Sequence, residues 1–125
     1  MSIDANLNDP ALRAEAVKAA RGARPFDFLV RNAKMLDMVT GRERPVDIGL
    51  VGPLIASVHA PDPKRDAHAE LDAASAFVVP GLIDTHMHVE SSMVTPAEYA
   101  RAVLPRGVPP ALWGAHERAN VAGKA

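Results

Sequence analysis

The chain contains no cysteine, so neither a disulfide framework nor a thiolate metal site is available, and any coordinating group must be histidine, aspartate or glutamate. Aromatic residues are scarce too, at 4% of 125 residues. Because 48% of the residues are nonetheless apolar, a core has to be assembled mainly from Val, Leu, Ile and Ala, and it will be lightly filled. Neither sign of charge dominates: 14 basic and 15 acidic side chains give a net charge of −1. That balance argues against general attraction to nucleic acid or an anionic membrane and favours small-molecule chemistry. No apolar run approaches the roughly 18 residues of a membrane span, and the N-terminus lacks a basic segment followed by an apolar one. The expectation is a soluble, cytoplasmic protein with no nucleic-acid and no membrane partner. A length of 125 residues suits one ordinary domain and falls short of barrels of about 250 residues.

Three regions follow from the pattern along the chain. Residues 9–22 predict a short surface helix: Asp9 can cap it, Pro10 suits its first position, Leu12, Ala16, Ala19 and Ala20 share a face, and Gly22 can close it. Residues 1–25 are therefore assigned to an N-terminal helical extension. From Phe26 the period shortens. Phe26, Phe28 and Val30 alternate with Asp27, Leu29 and Arg31, and Met35, Leu36 and Met38 then run into a turn at Thr40, Gly41 and Arg42. Val46, Ile48 and Leu50 alternate again, and Leu54 to Val58 follow a turn at Gly52 and Pro53. Residues 59–70 are polar and contain prolines, which predicts a loop with His59 and His68 exposed; Ala76 to Val79 form the next strand. Residues 26–79 thus read as a β-rich unit. Further on, Thr95, Pro96 and Glu98 compose a capping box, with Tyr99, Ala100, Val103 and Leu104 as the buried face of a helix that Pro105 and Gly107 terminate.

The chemistry concentrates in VPGLIDTHMHVESS, residues 79–92. His86 and His88 are two apart in an apolar run, and on a strand such side chains share a face, roughly 6 to 7 Å apart, so one metal ion can bind both. An arbitrary pair of this spacing is more often a polar strand end. Here the preceding Pro80-Gly81 turn and the apolar pair Leu82 and Ile83 favour the metal. Asp84 has the same parity and either orients a ligand histidine or makes a turn. Glu90 either touches metal or substrate or caps the turn at Ser91 and Ser92. A bound divalent ion implies hydrolysis, since it activates water for attack on an electrophilic carbon. Two histidines do not complete such a centre, which usually takes at least three protein ligands. A strand ending in ligands and followed by a helix is a βα unit, with reacting groups at the strand's C-terminal end.

This motif resembles the first barrel strand of the amidohydrolase superfamily. Its continuation VESSMVTPAEYARAVLPRG, residues 89–107, and HERANVAG, residues 116–123, are similar to segments of the adenine deaminases within that superfamily. Upstream, FLVRN at 28–32 and VDIGL at 46–50 are similar to the β-sandwich that flanks the barrel. The resemblance implies an α/β fold: the N-terminal part of an amidohydrolase, with a β-sandwich portion at 26–79 and, at 80–125, an incomplete start of the TIM-type barrel comprising its first one or two βα units. It implies His86 and His88 as metal ligands, Glu90, His116 and Glu117 as catalytic residues, and manganese or iron(II) as the ion. The implied reaction converts adenine and water to hypoxanthine and ammonia, with adenine or a related purine base as the small-molecule partner.

The family pattern continues through the rest of the barrel, with a bridging carboxylate, two further histidines and a metal-binding aspartate that these 125 residues do not contain. VPPALW at 108–113 also places two prolines where such enzymes carry a central strand, removing two ladder donors. Gly114 and Ala115 replace the usual aspartate and proline, and Arg118 an apolar residue. The expectation is a truncated chain, inactive alone, that associates through an exposed barrel edge. Two other readings stand beside it: a non-catalytic remnant or interaction module, and a hydrolase of cyclic amides such as hydantoins, against which the Glu90, Ser91, Ser92, His116 and Glu117 context argues.

Overall fold

Asp9 opens the first helix by accepting a hydrogen bond from the Ala11 amide at 2.9 Å, and Pro10 fixes the backbone of the first turn. The computed structural model describes residues 6–83 and 93–108. The chain forms two compact units, Met1–Val79 and Pro80–Ala125. In the first, helix α1 (Pro10–Ala20) precedes five strands: β1 (Phe28–Leu36), β2 (Glu43–Val51), β3 (Leu54–His59), β4 (Glu70–Asp72) and β5 (Phe77–Val78). The sheet runs β3-β2-β1-β4, with β5 also against β1; β1, β2 and β3 are antiparallel neighbours, whereas β4 and β5 run parallel to β1.

The turns are built by the residues that punctuate the sequence. Between β1 and β2 the Asp37 carboxylate accepts from the Val39 and Thr40 amides, which holds its pKa below the ordinary 3.8. Between β2 and β3 the chain reverses at Gly52, φ +51°, whose amide donates to Asp27 Oδ2 at 2.7 Å.

Helix α1 lies on the surface as expected and seats one face on the sheet. Ala16 and Ala19 are buried and join Phe26, Leu29 and Val51 in the core, with Leu12, Leu54, Ala56 and Ala67 packed around them. Alanine makes this close seat possible, because its single methyl lets the helix approach the sheet. The end of α1 is also held from outside the helix: Arg65 donates to the Ala19 carbonyl (3.3 Å), which the Gly22 amide bonds as well, and to the Ala20 carbonyl (2.8 Å). Gly49 lies beneath Phe26, where any Cβ would collide with the aromatic ring.

The alternation of Phe26, Phe28 and Val30 does not mark one inward face. Phe26 precedes β1 and is buried, Leu29 is fully buried, and Phe28 is 36% exposed. The β1–β2 register then shifts between Val30 and Ala33, where Asn32 takes the left-handed conformation, φ +55°. This bulge adds one residue to β1, and Asn32 is a residue type that tolerates positive φ. Strand β4 was expected neither as a strand nor as a neighbour of β1; its three residues are all exposed.

Pairing places Phe28 and Val30 beside Leu50 and Ile48, which face Ile55 and Val58 on β3; Val30 also pairs with Leu71. These seven apolar residues share the sheet face opposite α1. Ile55 is 66% exposed and Leu71 55%.

In the second unit, helix α2 (Pro96–Val103) starts at Thr95, whose hydroxyl accepts from the Glu98 amide at 3.3 Å. The Glu98 carboxylate pairs with Arg101 at 3.2 Å. Tyr99, Ala100 and Val103 are half-buried and Leu104 is 53% exposed, so the expected buried face is only partly formed among the described residues. Leu104 retains right-handed helical backbone despite preceding Pro105, and the chain continues into a 3₁₀ turn, Leu104–Arg106, that ends at Gly107, φ +80°. No helix among the described residues is long and apolar enough to cross a membrane.

Candidate metal centre

The candidate ligands His86 and His88, with Asp84 and Glu90, fall in residues 84–92, and His116 and Glu117 fall in residues 109–125; all lie outside the described residues. The segments that lead into them are described. Leu82, two positions before Asp84, donates its amide to the Gly107 carbonyl at 2.7 Å, so the approach to the histidine motif runs beside the end of the α2 segment. Among the described residues no group of three or more His, Asp or Glu side chains could hold a metal ion. His59 was expected to be exposed with His68. Only His68 is: the His59 ring stacks on Phe26 and its Nε2 is buried.

The polar cluster that the described residues do assemble centres on Asp47 and Arg31. Asp47 is 2% exposed; its Oδ1 accepts from the Asn32 amide at 2.9 Å, and its Oδ2 from the Asp62 amide at 3.2 Å with the Arg31 guanidinium 3.6 Å away. Arg31 also donates to both carboxylate oxygens of Glu70, at 2.6 and 2.7 Å, and to the Asp62 and Arg65 carbonyls. The Glu70 pairing raises the pKa of Arg31 further, and Arg31 in turn holds Glu70 below its ordinary 4.5. These groups border a cavity of about 420 Å³ lined by Arg31, Asn32, Asp47, Pro61, Asp62 and Pro63.

Such a cluster is built to hold, not to react. Both Asp47 oxygens accept hydrogen bonds and Arg31 is spent on the segment it pins, so both side chains are committed to holding the structure. Its sequence signal was a lone carboxylate, Asp47, between Val46 and Ile48 in a strand.

Comparison with known proteins bears on the histidine motif and the segment after it. The model of the Amidohydrolase family matches residues 77–125. Adenine deaminase 2 of Rhizobium johnstonii is 64% identical over 119 residues, covering 95% of this chain and 20% of that protein. Adenine deaminase of Klebsiella pneumoniae subsp. pneumoniae is 48% identical over 114 residues, covering 91% and 19%. The chain spans about one fifth of the length of these curated relatives. Among solved structures, the N-acyl-D-glutamate deacylase from Bordetella bronchiseptica, complexed with zinc and a phosphonate inhibitor, superposes with a TM-score of 0.58 at 24% identity, over 70% of this chain and 18% of that one. At that identity the likeness is one of fold. The resemblance to adenine deaminases read from the motifs is borne out: adenine deaminase homologues align with nearly the whole chain.

Proposed function

We propose that this chain is a segment of a metal-dependent adenine deaminase and contributes His86 and His88 to its divalent metal centre. The observation that carries the proposal is the 64% identity to adenine deaminase 2 across 95% of the chain. The family match at 77–125 also includes Asp84, His86, His88, Glu90, His116 and Glu117. The reaction is adenine plus water giving hypoxanthine plus ammonia.

The donor set fits a divalent ion: two imidazoles flanked by carboxylates, with no thiolate in the chain, can hold one, and the family resemblance points to manganese or iron(II). When bound, the ion supplies Lewis-acid activation of water. The chain's own residues have distinct tasks. His86 and His88 hold the ion, Asp84 fixes the orientation of a ligand imidazole, and Glu90, with His116 and Glu117, binds the purine and moves protons at its edge. Residues 80–125 are the start of a barrel, a reading supported by the Leu82–Gly107 backbone bond, which aligns the entries to two successive segments.

A second reading has its own support. The β-rich unit has its own small core around Ala16, Ala19, Phe26, Leu29 and Val51 and a satisfied buried carboxylate at Asp47, which favours a module that folds with no catalytic role. Ammonia release from adenine with added manganese separates the two. The 125 residues should be inactive alone and should give activity when joined to the remaining four fifths of a relative. A joined chain that folds and binds manganese yet releases no ammonia would refute the proposal.

A further inference from the structure

His59 ends β3 and begins the segment that crosses toward β4. Its Nδ1 lies 3.0 Å from the Ser57 hydroxyl, and its ring stacks on Phe26 with centroids 6.0 Å apart and planes inclined by 21°. Its Nε2 is shielded from solvent and has no hydrogen-bond partner, alone in this among the side-chain polar atoms of the described residues. A neutral imidazole tolerates that position: with its proton on Nδ1 toward Ser57, Nε2 presents only a lone pair. A protonated ring does not, because Nε2–H becomes a charged donor with nothing to receive it.

The residues that follow are fastened at several points around the same aromatic ring. The Asp62 amide donates to Asp47, Arg65 donates to the end of α1 with its guanidinium 5.8 Å from the Phe26 ring, and Arg31 grips the Asp62 and Arg65 carbonyls. Phe26 closes the arrangement through backbone bonds, its amide to the Asp66 carbonyl and its carbonyl to the His68 amide. The charges facing His59 are Arg65 and Asp62 of this segment, Asp47 of β2 and Arg31 of β1. The aspartates favour the imidazolium and the arginines oppose it, but burial outweighs both and pushes the imidazole below its ordinary 6.5.

We propose that residues 59–69 form an acid-released strap, in which protonation of His59 at its partnerless Nε2 detaches the segment from Phe26 and from the end of α1. The sign follows from the shift. The unfolded or released segment takes up a proton as pH falls below about 6.5, the fastened form resists it, and attachment weakens until the fastened form is itself protonated. The Arg31–Glu70 clamp persists over this range, since Arg31 holds the Glu70 carboxyl below 4.5. Acidification therefore frees the strap at its His59 end while its β4 end remains clamped.

Solution NMR of the full chain tests this between about pH 7.5 and about pH 5, following the His59 ring nitrogens and the exchange protection of the Phe26 and His68 amides. The ring should stay neutral to below its ordinary value, and protection should fall about tenfold for each unit of that depression. His59→Gln, which cannot take up the charge, should abolish the fall. A ring that titrates at or above its ordinary value, or amides that stay protected while it protonates, overturns the proposal. So does a folded His59→Gln that loses protection as the wild type does; if that variant does not fold, the wild-type titration decides.

Discussion

Arg31 and Glu70, 39 positions apart, meet through two parallel N–H···O bonds of 2.6 and 2.7 Å, and this pair ties β4 to β1 alongside their backbone ladder. A guanidinium matches a carboxylate edge to edge, so the contact fixes register as well as proximity. Asn32 repeats the device one step along, donating to Asp72 Oδ1 at 3.1 Å. The short parallel strand is thus pinned by side chains as well as by its backbone bonds to β1.

The buried partner of Arg31 should matter more than the exposed one. Asp47→Ala leaves the Asn32 and Asp62 amides and part of the Arg31 charge without a partner in a shielded site, a loss of about 3–5 kcal/mol. Glu70→Gln keeps a neutral acceptor at an accessible edge and should cost clearly less. Chemical denaturation followed by circular dichroism gives both values; a larger loss for Glu70→Gln would reverse this assignment.

The same carboxylates set an acid limit. Glu70 and Asp72 have pKa values lowered below 4.5 and 3.8, Glu70 by Arg31 and Asp72 by the Ala74 amide and Asn32. A lowered folded value means stability that is fully present above the unfolded value and is lost as pH falls through the folded one. Denaturation midpoints should therefore drop below about pH 4.5, as a step separate from the one at His59. In Glu70→Gln the lower step should shrink and the His59 step remain.

Gly49 should accept no side chain. Its missing Cβ is the space into which the Phe26 ring fits, so Gly49→Ala should destabilise by about 1–3 kcal/mol through overpacking. Phe26→Leu, costly alone, should recover part of that loss when combined with Gly49→Ala. A double-mutant cycle measures the coupling, and strict additivity would mean that the two sites do not share that space.

How legible this was depended on the range of the forces involved. Helix α1 could be read because its signals are local: Asp9, Pro10, the spacing of Ala16 and Ala19, and Gly22. Its burial could not, since that depends on how closely alanines let it approach Leu29 and Val51. The strands were visible, but the bulge at Asn32 changed which side of β1 faces inward. β4 was invisible because Glu70 and Asp72 look like loop residues until Arg31 and Asn32 are beside them. His59 looked exposed for the same reason, Phe26 being 33 positions away. The histidine motif was legible as chemistry and as kinship, through residue spacing alone.

The open sheet face should govern association. Ile55 and Val58 project from edge strand β3 on the side away from α1, with Leu71 at the other margin, and none is needed to fill the core. Replacing Ile55 and Val58 with lysine should change stability by no more than about 0.5 kcal/mol each while suppressing concentration-dependent association. Sedimentation velocity across a concentration series is decisive: unchanged association by a folded double variant would locate the contact elsewhere.

Metal binding should depend on both histidines of the motif and not on the exposed His68. His86→Ala and His88→Ala should each lower the affinity of the chain for a divalent ion at least about tenfold, since each removes one of two imidazoles and leaves only carboxylates beside the other. His68→Ala should have no effect, because the exposed His68 has no second histidine within its motif. Calorimetric titration with zinc, which binds imidazole well and is redox-silent, reads all three. Equal affinity in wild type and His86→Ala would remove His86 from the ligand set and leave the adenine deaminase reading to stand on sequence kinship alone.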